Sequence, residues 1–182
     1  MSINIVLWNA NGLPQHLLEI KNFIYSNNVD ILLVSETHFT NKTYFQIPNY
    51  YIYHTNHPDG SAHGGSAVLI KKSLKHTELP QFKTDEIQAT SVEVHDHCGS
   101  ITVAAIYSPP KHNIKKDMYK NFFKTFGNRF IVGGDYNAKH TVWGSRLCTT
   151  KGRELLSAIT DLNLSFVSSG CPTYWPSDTK KI

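Results

Sequence analysis

Cysteine is scarce in this chain: three among 182 residues, Cys98, Cys148 and Cys171, odd in number and far apart. No CxxC pair exists, which argues against a zinc knuckle and a disulfide framework and points to an intracellular, reducing compartment. Long apolar runs are also missing. Nothing approaches the ~18 apolar residues of a membrane span, so no membrane partner is expected. The start, MSINIVLWNANG, lacks a basic region followed by an apolar stretch, so no signal peptide is expected either. Repeats, low-complexity tracts and linkers are absent, and the length suits one domain over residues 1–182. A domain of this size buries roughly 70% of its unfolded surface. Strong charge of one sign is lacking too. The balance of 18 basic to 14 acidic side chains gives +4, with ten histidines in reserve. That is a mild lean towards polyanions, shared by many proteins with no nucleic-acid role.

What the chain does have is an alternation of short apolar runs with helix-period segments. INIVLWN (3–9) and DILLVSET (30–37) read as strands. PQHLLEIKNFIYSNN (14–28) between them reads as a helix, with Pro near its first turn and Leu17, Ile20 and Ile24 on one face. YYIYHT, SAVLIKK, ATSVEVH and SITVAAIY follow as strands, the last two flanking DHCG, which reads as a hairpin turn. IKKDMYKNFFKTF (114–126) gives a helix with Ile114, Met118, Phe122 and Phe126 on one side. RFIVGGD is another buried strand, and KGRELLSAITDLNL (151–164) is a helix facing inward with Leu155, Ile159 and Leu162. SFVSS is expected as one more strand. Mixed elements of this kind predict a layered α/β domain with helices packed on sheet faces.

Four of these strands exit into polar side chains, which periodicity does not require. NIVLWNANG runs into Asn9 and Asn11, and DILLVSETH into Glu36 and His38. ITVAAIYSPP ends at Tyr107, and FIVGGDYNAKH at Asp135, Asn137 and His140. In open α/β sheets ligand groups gather outside strand ends. Were these four ends neighbours, the crevice would hold two carboxylates, amides, a phenol and histidines. An oxygen-rich set of this kind suits a hard cation such as Mg²⁺.

Each signal also has an ordinary reading. Asn11-Gly12 is a common turn dipeptide. Glu36 can be a solvated loop acid, Asp135 a helix cap, and Tyr107 an amphipathic residue at a core edge. HDHC (95–98) reads as an exposed hairpin tip rather than a metal cluster. The lysines at 71, 72 and 75, at 111, 115, 116, 120 and 124, and at 180 and 181 read mostly as solvated faces. Trp143 and Trp175 sit in loops, suited either to stacking on bases or to packing on the sheet. The joint occurrence of the four exits, in this order, carries the argument.

WNANG, SETH, IYSPP, GDYNAKHTVWGS and TYWP, in that order, resemble the endonuclease domain of jockey-like non-LTR retrotransposons. That domain belongs to the endonuclease/exonuclease/phosphatase superfamily, with exonuclease III and DNase I-like enzymes. The resemblance implies a two-sheet α/β sandwich with outer helices and an Mg²⁺-dependent DNA endonuclease, with Mn²⁺ as the substitute ion. It implies Glu36 as the main metal ligand, with Asn9 and Asn11 supporting the metal and its water. Asp135 would orient or deprotonate the attacking water, Asn137 would hold the scissile phosphate, and Tyr107 would hydrogen-bond it. His38, His140, Trp143 and Arg146 would lie beside the DNA. The implied product is a nick whose 3′-hydroxyl primes reverse transcription, with a reverse transcriptase domain downstream and a nuclear location.

The family pattern continues beyond TYWP into a strand with an Asp and then a Ser-Asp-His segment, whereas this sequence stops at Ile182. The expectation is therefore a domain incomplete at its C-terminus, its last strands missing. Loss of the phosphate-contacting His forfeits about 3 kcal/mol of transition-state stabilisation, by analogy with a single oxyanion donor. Two rival readings stand beside the endonuclease: another phosphoesterase of the same fold, acting on abasic DNA, RNA or a small phosphate ester, and a non-catalytic remnant that binds DNA.

Overall fold

The computed structural model describes residues 2–96, 99–168 and 170, and its layering follows from one run, Ile31–Ser35. All five residues of this strand are buried because both of its faces are covered. Leu32 and Val34 pack with Ile20 and Ile24 of the helix α1, Leu17–Ser26. Ile31 and Leu33 pack with Val92, Val94, Val103 and Ala105 of a second sheet. Strand side chains alternate between faces, so a continuous apolar run marks burial on both.

The first sheet has the order β1 (Ile5–Asn9), β2 (Ile31–Ser35), β4 (Ser66–Lys71) and β3 (Tyr50–Thr55). β1 and β2 are parallel, and the other pairs antiparallel. The second sheet runs β5 (His76–Glu78), β7 (Gln88–Asp96), β8 (Gly99–Tyr107) and β9 (Phe130–Asp135), with β6 (Phe82–Lys83) also on β7. Here β8 and β9 are parallel. The two sheets face each other across the Ile31, Leu33, Val68 and Ile70 core, and α1 covers the outer face of the first. This is the two-sheet α/β sandwich the sequence predicts. The predicted hairpin is present in the pairing of β7 with β8, from Gln88↔Tyr107 to Asp96↔Gly99. His97 and Cys98 at its tip lie outside the described residues, as do Cys171 and Trp175.

The chain forms two compact units. The first takes in residues up to 112 and 124–136, and so holds both sheets and α1. The second takes in 113–123 and the residues from 137 onward. In the second unit the helix α2 (Lys116–Lys124) buries Tyr119, Phe122 and Phe123. The helix α3 (Thr150–Asp161) buries Leu155 and Ala158, with Ile159 and Leu162 only half-buried. Thr149 caps α3 by accepting the Gly152 N–H. Lys116 and Lys120 of α2 reach Asp161 of α3 at 3.0 and 3.2 Å.

Helix ends differ from expectation for a physical reason. The predicted helix over 14–28 is a 3-10 turn, Leu13–His16, followed by α1. It stops at Ser26 because Asn28 turns left-handed (φ 49°) and Val29 N–H reaches back to Ile24 O at 3.0 Å. α3 ends the same way, with Asn163 at φ 51° and Leu164 N–H on Ile159 O at 2.9 Å. This is the Schellman closure, in which an apolar residue beyond the helix folds back over it. The apolar period therefore overruns each helix by about a turn. The strand expected at SFVSS does not form among the described residues: 165–168 is irregular, and Ser168 Oγ donates to the Trp143 carbonyl at 3.0 Å instead of joining a ladder.

Candidate active site

The last residues of two parallel strand pairs stand in register. Asn9 pairs with Ser35 at the end of β1 and β2, and Tyr107 with Asp135 at the end of β8 and β9. Because the sheets face each other, four chain exits open together. Ser35 ties them across the sandwich: its buried Oγ donates to Ile106 O at 2.7 Å and accepts the Asp135 N–H at 2.9 Å. The adjoining turn of β9 against β8, its neighbour in the same sheet, needs a glycine: Gly134 has φ 150°, and a Cβ there would fall 2.0 Å from Ile106 O.

Asn9 is the centre of the polar cluster. Its Nδ2 donates to Glu36 Oε1 at 2.8 Å and to Asp135 Oδ2 at 2.9 Å, so one amide spans two carboxylates that are distant in sequence. Its Oδ1 accepts the Asn11 N–H at 3.1 Å. Asn11 is left-handed at φ 42° and exposed, so it serves the turn with Gly12, and its backbone also orients Asn9.

Glu36 and His38 both have φ 55°. Positive φ at side-chain-bearing residues costs on the order of 1 kcal/mol, and such strain gathers at functional sites. Here the surroundings impose it. Gly12 N–H binds Glu36 O at 2.8 Å, and His38 N–H binds Gly64 O at 3.0 Å. The strained turn leaves the Glu36 carboxylate beside Asn9, with His38 Nε2 3.7 Å from Oε2. Tyr107 is buried at the same strand ends. Burial, and then the charges of Glu36 and Asp135, push its phenol up to about 12. It remains a protonated donor at neutral pH.

The structure thus brings Asn9, Asn11, Glu36, His38, Tyr107 and Asp135 together within the first unit. Asn137, His140, Trp143 and Arg146 belong to the second. Asn137 is left-handed at φ 47°. His140 caps a 3-10 turn, Thr141–Trp143, through Nδ1 and the Val142 N–H at 3.1 Å. Trp143 is half-buried, its Nε1 donating to Ala138 O at 2.9 Å and its ring edge-on to Phe166. Arg146 is exposed. Ser35 escaped the sequence reading, although one signal was there: a lone hydroxyl closing an otherwise apolar buried run.

Comparison with known proteins places the chain. It is 37% identical over 174 residues to an RNA-directed DNA polymerase from the mobile element jockey of Drosophila melanogaster, covering 96% of this chain and 19% of that protein. It is 33% identical over 177 residues to a probable RNA-directed DNA polymerase from transposon X-element of the same species, covering 97% of this chain and 20% of that one. The chain thus spans about a fifth of the length of these curated relatives. Among solved structures, the endonuclease domain of TRAS1, a telomere-specific non-LTR retrotransposon, superposes with a TM-score of 0.80 at 21% identity. That match covers 98% of this chain and 80% of TRAS1's. The catalytic domain of Xenopus laevis APE2 shares the fold at a TM-score of 0.62 and 19% identity, over 85% of this chain and 67% of its own. The sequence model of the Endonuclease/Exonuclease/phosphatase family matches residues 6–181, nearly the whole length, and the chain belongs to that family.

Proposed function

We propose that this chain is the endonuclease domain of a non-LTR retrotransposon, which nicks DNA by Mg²⁺-assisted hydrolysis of a phosphodiester and leaves a 3′-hydroxyl to prime reverse transcription. The observation that carries the reading is the bridging of Glu36 and Asp135 by the Asn9 amide, at 2.8 and 2.9 Å. Family membership and the likeness to jockey-type proteins support it.

The donor set fits a divalent ion of the hard class. It is made of carboxylate and amide oxygens, which suit Mg²⁺, or Mn²⁺ in its place. Glu36 is the principal ligand, with Asn11 assisting. Mg²⁺, when bound, supplies positive charge against the negative charge that develops on the phosphoryl oxygens. The protein's own groups do the rest. Asp135 orients the attacking water and takes its proton, while Asn9 holds both carboxylates in place. Tyr107, kept protonated by burial and its acidic neighbours, donates to a phosphate oxygen. Asn137 as a phosphate contact, and His38, His140, Trp143 and Arg146 as DNA contacts, rest on the family likeness alone. A reverse transcriptase domain follows in the parent protein, which acts in the nucleus.

The test is nicking of supercoiled plasmid with and without Mg²⁺, by this chain and by Asp135→Ala. Metal-dependent nicking that the variant loses is the expected result. Nicking indifferent to both Asp135 and Mg²⁺ would overturn the assignment. Faster hydrolysis of an abasic oligonucleotide or a phosphomonoester would move it to another phosphoesterase of the fold. DNA binding by folded protein with no cleavage of any of these would favour the non-catalytic reading.

A further inference from the structure

The loop between β3 and β4 carries the sequence His57-Pro-Asp-Gly-Ser-Ala-His63, separate from the four polar strand exits. In the structure His57, Asp59 and His63 each offer one ligand atom, all within 4.8 Å of one another. His57 Nδ1 lies 3.0 Å from Asp59 Oδ1, and His63 Nε2 lies 3.6 Å from Asp59 Oδ2. The two imidazole rings are tilted by 43°, with centroids 3.9 Å apart.

The hydrogen bonds around the cluster orient its ligand atoms. Ser61 donates its N–H and its Oγ–H to Asp59 Oδ1, at 2.8 and 2.9 Å. With its proton committed there, Ser61 Oγ can only accept from His63 Nδ1, 2.6 Å away. A neutral His63 then turns the lone pair of Nε2 towards the carboxylate. At 3.6 Å that contact is too long for a hydrogen bond even with a proton on Nε2. His57 Nδ1 stands 3.0 Å from Asp59 Oδ1 and 3.4 Å from the Asp59 N–H, so it meets Asp59 as either tautomer. Two imidazole nitrogens and an anionic carboxylate thus converge on one spot, the donor pattern of a transition-metal site.

We infer that His57, Asp59 and His63 form a binding site for a transition-metal ion of the Zn²⁺ class, distinct from the Glu36 cluster. With bonds of about 2.0–2.1 Å, tetrahedral ligand atoms stand ~3.3–3.4 Å apart, so three ligand atoms within 4.8 Å of one another need only a small adjustment of this loop to close on an ion. The ligand chemistry fits as well, because imidazole nitrogen selects Zn²⁺, Co²⁺ or Ni²⁺, whereas Mg²⁺ takes oxygen. Ser61 supplies the outer hydrogen bond that orients a ligating histidine. His57 is anchored, at 7% side-chain exposure, while Asp59 and His63 are about half exposed, so an ion can enter from solvent. Three protein ligands leave a fourth position for water.

The consequence is structural and lies next to the strand ends. His63 is followed by Gly64 and Gly65, whose carbonyls accept the N–H groups of His38 and Thr37. A Cβ on Gly64 would stand 3.1 Å from the Tyr107 ring. A metal on the loop therefore staples the segment that holds the left-handed turn at His38 and walls Tyr107. This site stands on its own ligands and does not depend on the nuclease reading.

The test is Co²⁺ binding to the whole chain in millimolar Mg²⁺, which fills the oxygen site, followed by visible absorption and checked by Zn²⁺ competition with a chromogenic chelator. The expected result is intense absorption of low-coordinate Co²⁺, displaced by Zn²⁺ and lost in His63→Ala. His63→Cys should restore it, with an added sulfur-to-cobalt band in the near ultraviolet. Asp59→Asn, at an equally exposed position, gives the same loss should His63→Ala fold poorly by circular dichroism. Absorption no stronger than that of hydrated Co²⁺, or equal uptake by parent and variants, would overturn the site. None of these readouts involves DNA, so the outcome stands apart from the plasmid assay.

Discussion

Asp135 rests its backbone N–H on the hydroxyl of Ser35, 2.9 Å away, and that hydroxyl donates in turn to Ile106 O at 2.7 Å. One buried serine thus joins the ends of β2, β8 and β9 and sets the height at which the Asp135 carboxylate leaves its strand. Ser35→Ala removes both of these hydrogen bonds across the sandwich. Intramolecular hydrogen bonds contribute roughly 0.5–1.5 kcal/mol each. Urea unfolding should show a lower midpoint with an unchanged slope. Nicking should fall as well, since Asp135 loses its support. A variant as stable and active as the parent would show that the serine bridge is dispensable.

Asn9 offers a different kind of test, because it is exposed and its side-chain bonds among the described residues run to site groups. Asn9→Ala should leave the unfolding midpoint nearly unchanged. Nicking should drop by about 10²–10³, the range for removing one preorganised polar group at a reacting centre. Asn9→Asp is expected to be worse still, since it sets a third negative charge between Glu36 and Asp135. Full activity in Asn9→Ala would remove the amide from the mechanism.

How much of this was legible in the sequence depends on whether a feature is local. β2, β4 and β8 announce themselves, because burial on both faces needs an unbroken apolar run. The polar residues at the strand exits were legible for the same reason, since Asn9, Glu36, Tyr107 and Asp135 interrupt such runs. The pairing of strands across the sandwich was not, and with it went the role of Ser35. The hydroxyl cluster of Thr55, Ser66 and Thr90, buried between the sheets with Thr90 Oγ1 at 2.9 Å from Thr55 Oγ1 and 3.0 Å from Ser66 Oγ, was hidden likewise. Each looks like an ordinary strand residue until its partner is known. The His57, Asp59 and His63 cluster depends on loop geometry, which Gly60 makes unreadable from spacing alone.

In the second unit Glu154 of α3 reaches across to the first turn of α2, where Oε2 accepts the Lys116 N–H at 2.8 Å. It satisfies an orphan amide and sets a negative charge at the positive end of the helix. Glu154→Ala should lower stability by about 1 kcal/mol, as loss of a helix cap does. Glu154→Gln should recover part of that, since it keeps an acceptor without the charge. Equal midpoints for all three proteins in urea would mean that water serves the amide as well.

Two buried phenols give the fold an alkaline weakness. Tyr107 is pushed up to about 12 by burial and by Glu36 and Asp135, and Tyr50, which donates to Val29 O, is pushed up to about 12 by burial and by Asp30 and Tyr25. In the unfolded chain both titrate near 10. Below that pH both states hold the protons, and the phenols add no pH dependence. Between about 10 and 12 the unfolded chain has released protons that the folded chain keeps, so the equilibrium shifts towards unfolding as pH rises. Above both values the loss levels off. Urea midpoints measured at about pH 9 and about pH 11 should therefore diverge, with the lower at the higher pH. Tyr107→Phe should narrow the gap, and Tyr50→Phe should narrow it separately. Tyr107→Phe should also nick more slowly at neutral pH, where the parent still carries its proton, whereas Tyr50→Phe should not. A gap unchanged in the double variant would place the alkaline sensitivity elsewhere, and unimpaired nicking by Tyr107→Phe would remove the phenol from the phosphate.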